Sequence, residues 1–280
     1  MSNVVGRHKY LPKISIITPS LNQSKYIEEA ILSVMNQAYD NYEHIIVDGG
    51  STDDTLEILG RYSFRSDKLK WLSEPDQGQS DALNKGFRMA TGDIVGWLNA
   101  DDRYLPGCFY KVAEVFANNP DVDIVYGDYR FIDEQGKVFK LRKEIDFDLF
   151  ILKYLHVLYI PSTATFFRRW VIDEGNFLRL DLHYAMDYEF FLRLALKGYR
   201  FLHVPEYLAD FRWHPESKSS KAARAQRAEQ ENALMELDPL MSRLKQAPIR
   251  LPVRLFLLLM ARTKRTWLKL LKGSYWAKWD

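Results

Sequence analysis

Asp93-Ile94-Val95-Gly96-Trp97-Leu98-Asn99-Ala100-Asp101-Asp102 decides how this chain is read. A short apolar run, long enough for one buried strand, empties into a cluster of amide and carboxylate oxygens. Open α/β sheets bind ligands just beyond the carboxyl ends of their strands. Oxygen donors at alternate positions there suit a hard divalent cation, Mg²⁺ or Mn²⁺, which takes one or two carboxylates and shares its remaining sites with phosphate oxygens. The same four residues also read as a solvated acidic turn. Only their surroundings separate the two.

Upstream, the pattern alternates. Ile14-Ser15-Ile16-Ile17-Thr18, between Pro12 and Pro19, has the β-branched density of a buried strand. Ser24 is placed to cap a helix over 26–36, with Glu28 and Glu29 in its first turn. His44-Ile45-Ile46-Val47 is a second strand, closed by the turn Asp48-Gly49-Gly50-Ser51-Thr52 and a helix over 53–62. A strand over 69–73, a loop through Glu74-Pro75-Asp76-Gln77-Gly78 and a helix over 80–89 complete the run into Asp93. Strands alternating with helices of this length imply parallel βαβ units. The fold class expected is α/β: a mostly parallel, Rossmann-like sheet flanked by helices.

Downstream the regularity fades. A helix over 106–118, a strand over 124–127 and a hairpin over 129–140 are followed by strand-like 163–167, a helix over 186–196, and strand-like 200–204 and 207–213. Residues 216–246 read as a polar helix. The expected division is a catalytic domain over 1–246, in which 12–102 binds the nucleotide and 103–215 forms the acceptor half, and a basic amphipathic tail over 247–280.

A chain of 280 residues has ample core for one large domain. Its single cysteine, Cys108, excludes an internal disulfide framework and fits a reducing compartment. Residues 1–13 hold no apolar signal segment, and no window of about 18 apolar residues occurs to span a bilayer. The net charge of +2 conceals an asymmetry: residues 250–280 carry eight basic residues against one acid, so 1–249 stand at −5. No Gly-x-Gly-x-x-Gly and no Walker A lysine loop is present, which argues against a dinucleotide dehydrogenase and a P-loop kinase. A nucleotide whose phosphates are held through a metal fits better.

Asp48, at a strand's end, can accept hydrogen bonds from a base or ribose, or can simply close its own turn. The Thr18-Pro19-Ser20 loop can cover the base from the other side, and Asp76, Asp81 and Asn84 add polar groups to the same edge. Asp187, in the first turn of its helix, is either a capping residue or a general base taking a proton from a hydroxyl. His214 is a surface or core histidine, or, with Asp101, an imidazole completing a Mn²⁺-like site.

The motifs in this order resemble those of an inverting family 2 glycosyltransferase with the nucleotide-diphospho-sugar transferase (GT-A) fold. They are Ile14 to Asn22, Val47 to Asp53, Glu74 to Gly78, Asn84-Lys85-Gly86, Gly92 to Asp102 and Met186-Asp187-Tyr188-Glu189, covering residues 12–215. The resemblance implies that Thr18, Pro19 and Asp48 contact the nucleotide, with Ser20 beside them, and that Asp76 and Asn84 lie along the donor. Asn99 and Asp101 correspond to the family's Asp-x-Asp metal motif, Asp187 to its catalytic aspartate, and His214 to the histidine that often completes the metal site. Three departures stand out. Asn99 replaces the first aspartate, leaving metal binding to Asp101 or Asp102. Met186 replaces an acid before the base. Leu83 stands where an arginine is common, so one phosphate or base contact is either missing or supplied by Lys85.

The implied activity is hexosyl transfer from a nucleotide-diphospho-sugar to a glycan or lipid-linked acceptor with Mn²⁺ or Mg²⁺. The alternatives are a sugar nucleotidyltransferase, which needs a glycine-rich basic loop that Pro19-Ser20-Leu21-Asn22-Gln23 is not, and a non-catalytic glycan- or nucleotide-binding module. In the tail, a 100° wheel gathers Arg254, Arg262, Lys264, Arg265, Lys269 and Lys272 on about half the circumference, with Trp267, Leu268, Leu270 and Leu271 mostly opposite. That suits a helix on an anionic membrane surface, at the cytoplasmic face. It also suits an apolar face docked on the domain. Nucleic acid is disfavoured by the acidic body.

Overall fold

The apolar run after Pro12 forms β1 (Ile14–Ser20), buried along its whole length because parallel strands run beside it on both edges. In this computed structural model, residues 11–155, 158–214, 223–244 and 250–272 are described. β2 (Tyr42–Asp48), β3 (Leu69–Ser73) and β4 (Ile94–Trp97) give the order β3-β2-β1-β4, all parallel. Chain order reverses about β1, whose neighbours are β2 and β4. A crevice opens at such a reversal, beyond the strands' carboxyl ends.

The sheet continues past β4 through β8 (Thr165–Arg168), β6 (Ile124–Ile132), β9 (Phe201–Arg212) and the short β5 (Arg103–Tyr104), with β7 (Val138–Arg142) paired to β6. Here the pairing is mixed: β8 runs antiparallel to β4 and β6, and only β6 and β9 are parallel. The parallel arrangement expected for the first half is present, and the second half adds antiparallel hairpins to it. The two strands expected over 200–204 and 207–213 are one, β9. Its ladder skips Pro205 and Glu206, where the register slips against Gly127 and Asp128. Proline has no N–H to give, and a bulge absorbs the missing bond.

Helices α1 (Ile27–Met35), α2 (Thr55–Ser63), α3 (Gln79–Met89) and α4 (Cys108–Asn118) cover the sheet, joined by the short α5 (Leu149–Tyr154) and α6 (Trp170–Asp173) and by α7 (Met186–Leu196). Ser24 does not cap α1; its backbone N–H instead donates to Asp53 Oδ2 at 3.0 Å, tying the loop after β1 to the loop after β2. α3 sits directly on β1. A Cβ at Gly86 would lie 2.2 Å from Ile17 Cγ2, so only glycine permits that approach. Ile17, Leu83, Phe87, Phe167, Phe190 and Phe191 form the core on that face, and Ile16, Phe109, Phe116 and Phe166 that on the other.

The polar helix expected over 216–246 is two helices, α8 (Ala223–Leu237) and α9 (Pro239–Leu244); residues 216–222 and 245–246 lie outside the described residues. The break falls at Pro239, and the buried Asp238 caps α9 by accepting from Leu240 N (2.8 Å) and Met241 N (3.0 Å).

α10 (Arg250–Leu271) docks on α5 and the main core through Val253, Leu257, Ala261 and Leu268. Five of its cations face the body. Arg265 meets the fully buried Glu144 at 2.7 Å, Lys272 meets Asp146 and Arg254 meets Glu231 at 2.5 Å each, and Lys264 meets Asp148. Lys269 lies 3.7 Å from Glu144 and donates to Lys143 O at 2.7 Å. Burial, with Arg142 and Arg265 close by, pushes its ammonium down to about 8 against the pull of Glu144. The basic row expected to meet a membrane is thus turned inward, leaving the apolar side outward.

Candidate active site

β1 ends in Pro19-Ser20 and β4 leads into Asn99–Asp102, so the reversal at β1 brings these two segments to one opening. A cavity of about 530 Å³ lies there, lined by Pro19, Ser20, Asp76, Asn99, Asp101, Asp102, Asp187 and His214. Eight residues picked from separate motifs therefore share one crevice. The Ser20 hydroxyl is buried on this wall with no hydrogen-bond partner among the described residues. Buried polar groups are nearly always paired, so this one is suited to a bound hydroxyl or phosphate.

Asp101 Oδ2 and His214 Nε2 stand 3.0 Å apart. A carboxylate oxygen and an imidazole nitrogen are donor types that Mn²⁺ or Mg²⁺ accepts, so this neighbouring pair could supply two of six ligands. Among the described residues no group of three His, Cys, Asp or Glu side chains gathers as a complete cation site. A cation held by this pair would take its other ligands from bound substrate and water.

Asp102 does not join them as an open ligand. Its side chain is buried, Oδ1 accepting from Arg212 N at 2.9 Å and Oδ2 from Asn99 Nδ2 at 3.0 Å. Burial, then the charge of Asp101, raises its carboxyl well above the usual range. Asn99 is not a ligand either. Trp97 Nε1–H can only donate, so at 2.9 Å it faces Asn99 Oδ1, which also accepts from Gln79. The Asn99 amide must then donate to Asp102, a task an ionised aspartate cannot perform.

Asn99→Asp is therefore expected to cost about 2 kcal/mol of stability at pH 7, and less near pH 5. Two carboxyls so placed are tolerated only by sharing a proton, which raises their folded-state pKa above the unfolded value. Stability is then present at low pH and lost as pH rises through the folded-state pKa. Urea midpoints at the two pH values check this, and an equal loss at both overturns it.

Asp187 is the second residue of α7 and lines the cavity; its Oδ1 accepts from Tyr188 N at 2.8 Å. The turn before it is held from α8. The Glu229 carboxylate accepts from Tyr184 N (2.7 Å), Ala185 N (2.9 Å) and His183 N (3.1 Å), gathering N–H groups that would otherwise be orphaned at the helix start. Met186, in place of an acid, packs its sulfur 2.9 Å from Ser80 Oγ.

Four expected residues are not on the cavity. Thr18 is buried behind it, its hydroxyl 2.9 Å from the Nε2 of His44, which burial lowers to about 3. Asp48 closes its own turn: its carboxylate takes Gly50 N (3.0 Å), Ser51 N (2.8 Å), Ser51 Oγ (2.5 Å) and Ser73 Oγ (2.8 Å). Asn84 clamps the chain at Leu178 through paired bonds of 2.8 and 2.9 Å. Lys85 is spent on Glu74 (2.8 Å) and Asp81 (3.4 Å). Asp76 does line the cavity, passing so close to Gly49 that a Cβ there would lie 2.5 Å from its Oδ2.

Sequence reasoning missed Gln79, Trp97, His183, Tyr184, Gln226 and Arg212 on the lining. Arg212 matters most. Its side chain is fully buried and donates to Asp101 O (2.8 Å), Asp133 O and Glu134 O (3.1 Å each) and Glu29 Oε2 (2.6 Å), over the ring of Tyr26. It binds the Asp101 loop, the β6–β7 turn and α1 together, two residues before His214.

A family model described as Glycosyl transferase family 2 matches residues 15–175, more than half of the chain. The chain belongs to that family. Among its relatives, the chondroitin synthase of Escherichia coli is 29% identical over 215 residues, covering 76% of this chain and 31% of that protein. An uncharacterized glycosyltransferase of Mycobacterium tuberculosis is 32% identical over 188 residues, 66% of this chain and 70% of its own length. An uncharacterized glycosyltransferase of Nostoc sp. is 36% identical over 129 residues, 44% of this chain. The chain spans only 40% of the Nostoc protein and 31% of the synthase. Two solved structures share the GT-A fold of this family 2 chain. S. aureus TarS 1–349 in complex with UDP-GlcNAc has a TM-score of 0.64 at 19% identity, over 82% of this chain and 69% of that one. The mannosyltransferase PcManGT from Pyrobaculum calidifontis, in complex with GDP-Man and Mn²⁺, has a TM-score of 0.63 at 19% identity, over 97% and 77%.

Proposed function

We propose that this chain is a metal-dependent, inverting glycosyltransferase that moves a hexose from a nucleotide-diphospho-sugar to an acceptor hydroxyl. The observation that carries it is the sharing of one crevice by the Asp101–His214 pair and Asp187. Asp101 and His214 would hold Mn²⁺ or Mg²⁺ on the donor's diphosphate. Such a cation stabilises negative charge accumulating on the leaving nucleotide. The neighbours solved with UDP-GlcNAc and with GDP-Man and Mn²⁺ support a donor and a cation of this kind.

Pro19, Ser20 and Asp76 line the donor's side of the crevice. Asp187 accepts the acceptor's hydroxyl proton, so that the oxygen attacks the anomeric carbon from the face opposite the leaving group. One displacement inverts that carbon. Holding both substrates in one crevice converts an encounter of two molecules into a step within a complex. We extend the reading to a lipid-linked glycan acceptor in surface polysaccharide synthesis, at the cytoplasmic face of a membrane. A relative named a chondroitin synthase supports a polysaccharide product, and the exposed apolar side of α10 supports the membrane location.

The test is thermal unfolding with a panel of UDP-, GDP- and dTDP-sugars, with and without Mn²⁺. One sugar nucleotide is expected to stabilise the chain with Mn²⁺ present, by about 2.7 kcal/mol at 100 times its Kd, and much less without it. A panel with no stabilising member under either condition overturns the proposal.

A further inference from the structure

Eight of the 22 exposed large apolar side chains among the described residues lie on α10: Leu251, Leu255, Phe256, Leu259, Met260, Trp267, Leu270 and Leu271, each 42–67% exposed. At 100° per residue they occupy one arc of roughly 200°, along a helix of about 33 Å. The body cannot be what covers them. It already holds the opposite side through Ala261, Leu257 and Leu268 and through five cations paired with its acids.

Charge selects the occupant. From Pro239 to Trp279 the chain has no acidic residue and ten basic ones. On the described helix five of these cations are taken up by the body's acids, and the outward side keeps Arg262 with no acid. A second copy would set one such arginine against another, whereas anionic headgroups complement it. Arg262 is exposed within the apolar arc, between Leu251 and Leu255 on the wheel, where a headgroup would meet it. A leucine-dominated face with a tryptophan and an arginine suits the boundary between headgroups and acyl chains. No helix among the described residues is long and apolar enough to cross a membrane, so the arrangement is one of lying in the surface.

We propose that α10 lies flat in an anionic membrane surface with its outward apolar face inserted, and that its inward cations are the clasp from which the catalytic body hangs. This deepens the membrane part of the reading above and rests on it. The lipid contact is then made by leucine, phenylalanine and tryptophan, with Arg262 among them. Arg254, Lys264, Arg265, Lys269 and Lys272 serve the protein instead.

The test uses the full chain in sedimentation with vesicles of phosphatidylcholine alone and with phosphatidylglycerol added. The parent is expected to bind both, more tightly the anionic ones. The triple variant Leu255→Ser, Leu259→Ser, Leu270→Ser is expected to lose more than about 100-fold in partitioning to both, since each leucine gives up its buried area. Because all three residues are exposed, its thermal unfolding and donor-induced stabilisation should match the parent's. Arg262→Gln is expected to lose about fivefold on anionic vesicles only. If the parent binds vesicles and the triple variant binds equally well, this face is the wrong one and the membrane location stands. If the parent binds no vesicle, the membrane reading itself falls. A parent dimer that the triple variant abolishes, without vesicle binding, assigns the face to a second copy and also overturns the proposal.

Discussion

Asp187→Asn is expected to lower sugar transfer by about 10²–10⁴-fold, the contribution typical of a positioned general base. The substitution keeps the side chain's size and its acceptor oxygen for Tyr188 N, so α7 should start as before. Donor affinity should stay within about twofold, because the base acts on the acceptor and only as the proton leaves. Steady-state transfer alongside calorimetric donor binding separates the two quantities. A variant that transfers at the parent's rate removes Asp187 from the reaction. A variant that loses donor affinity as well makes it a donor-binding residue.

The largest effect on stability is expected at Arg212. Removing its guanidinium by Arg212→Met leaves Glu29 short of one partner and frees three carbonyls, at Asp101, Asp133 and Glu134. Breaking a buried charged network from one side costs about 3–5 kcal/mol. Glu29 is 43% exposed and keeps Arg103 at 3.1 Å, which favours the lower end. Arg212→Lys keeps the charge but not the planar fork, so an intermediate loss is expected. Urea unfolding of the three proteins checks the order. Mn²⁺ affinity should fall with it by about 10- to 100-fold, as when a ligand's support is removed. A Met variant within about 1 kcal/mol of the parent would overturn the assignment.

Which parts of this were legible in the sequence follows from how local their causes are. The parallel half of the sheet was legible because β-branched runs and 3.6-residue periods are written within one element. Met186 to Leu196 and Leu69 to Ser73 needed no distant partner to be read. Asp101, Asp187 and His214 were reached through the order of motifs, and they do meet in one crevice. Asp48 was not legible. A carboxylate at a strand's end can face a ligand or its own turn, and here Ser73, 25 residues away, helps fix it on the turn. Asn84 looked like a donor contact until Leu178, 94 residues on, took both ends of its amide. Arg212 stood in plain view beside His214, yet nothing within the strand says that a buried arginine will gather carbonyls from two loops and a carboxylate from α1. The tail's amphipathicity was legible and its orientation was not, since Glu144, Asp146 and Asp148 lie more than 100 residues before the cations they meet.

Those ion pairs bear on any shortened version of this chain. Cutting before residue 250 strips Glu144 of two of its three cationic partners and uncovers the apolar surface beneath Ala261 and Leu257. Insolubility of such a fragment would then say nothing about lipids, because the severed helix is a wall of the folded body as much as a foot beneath it.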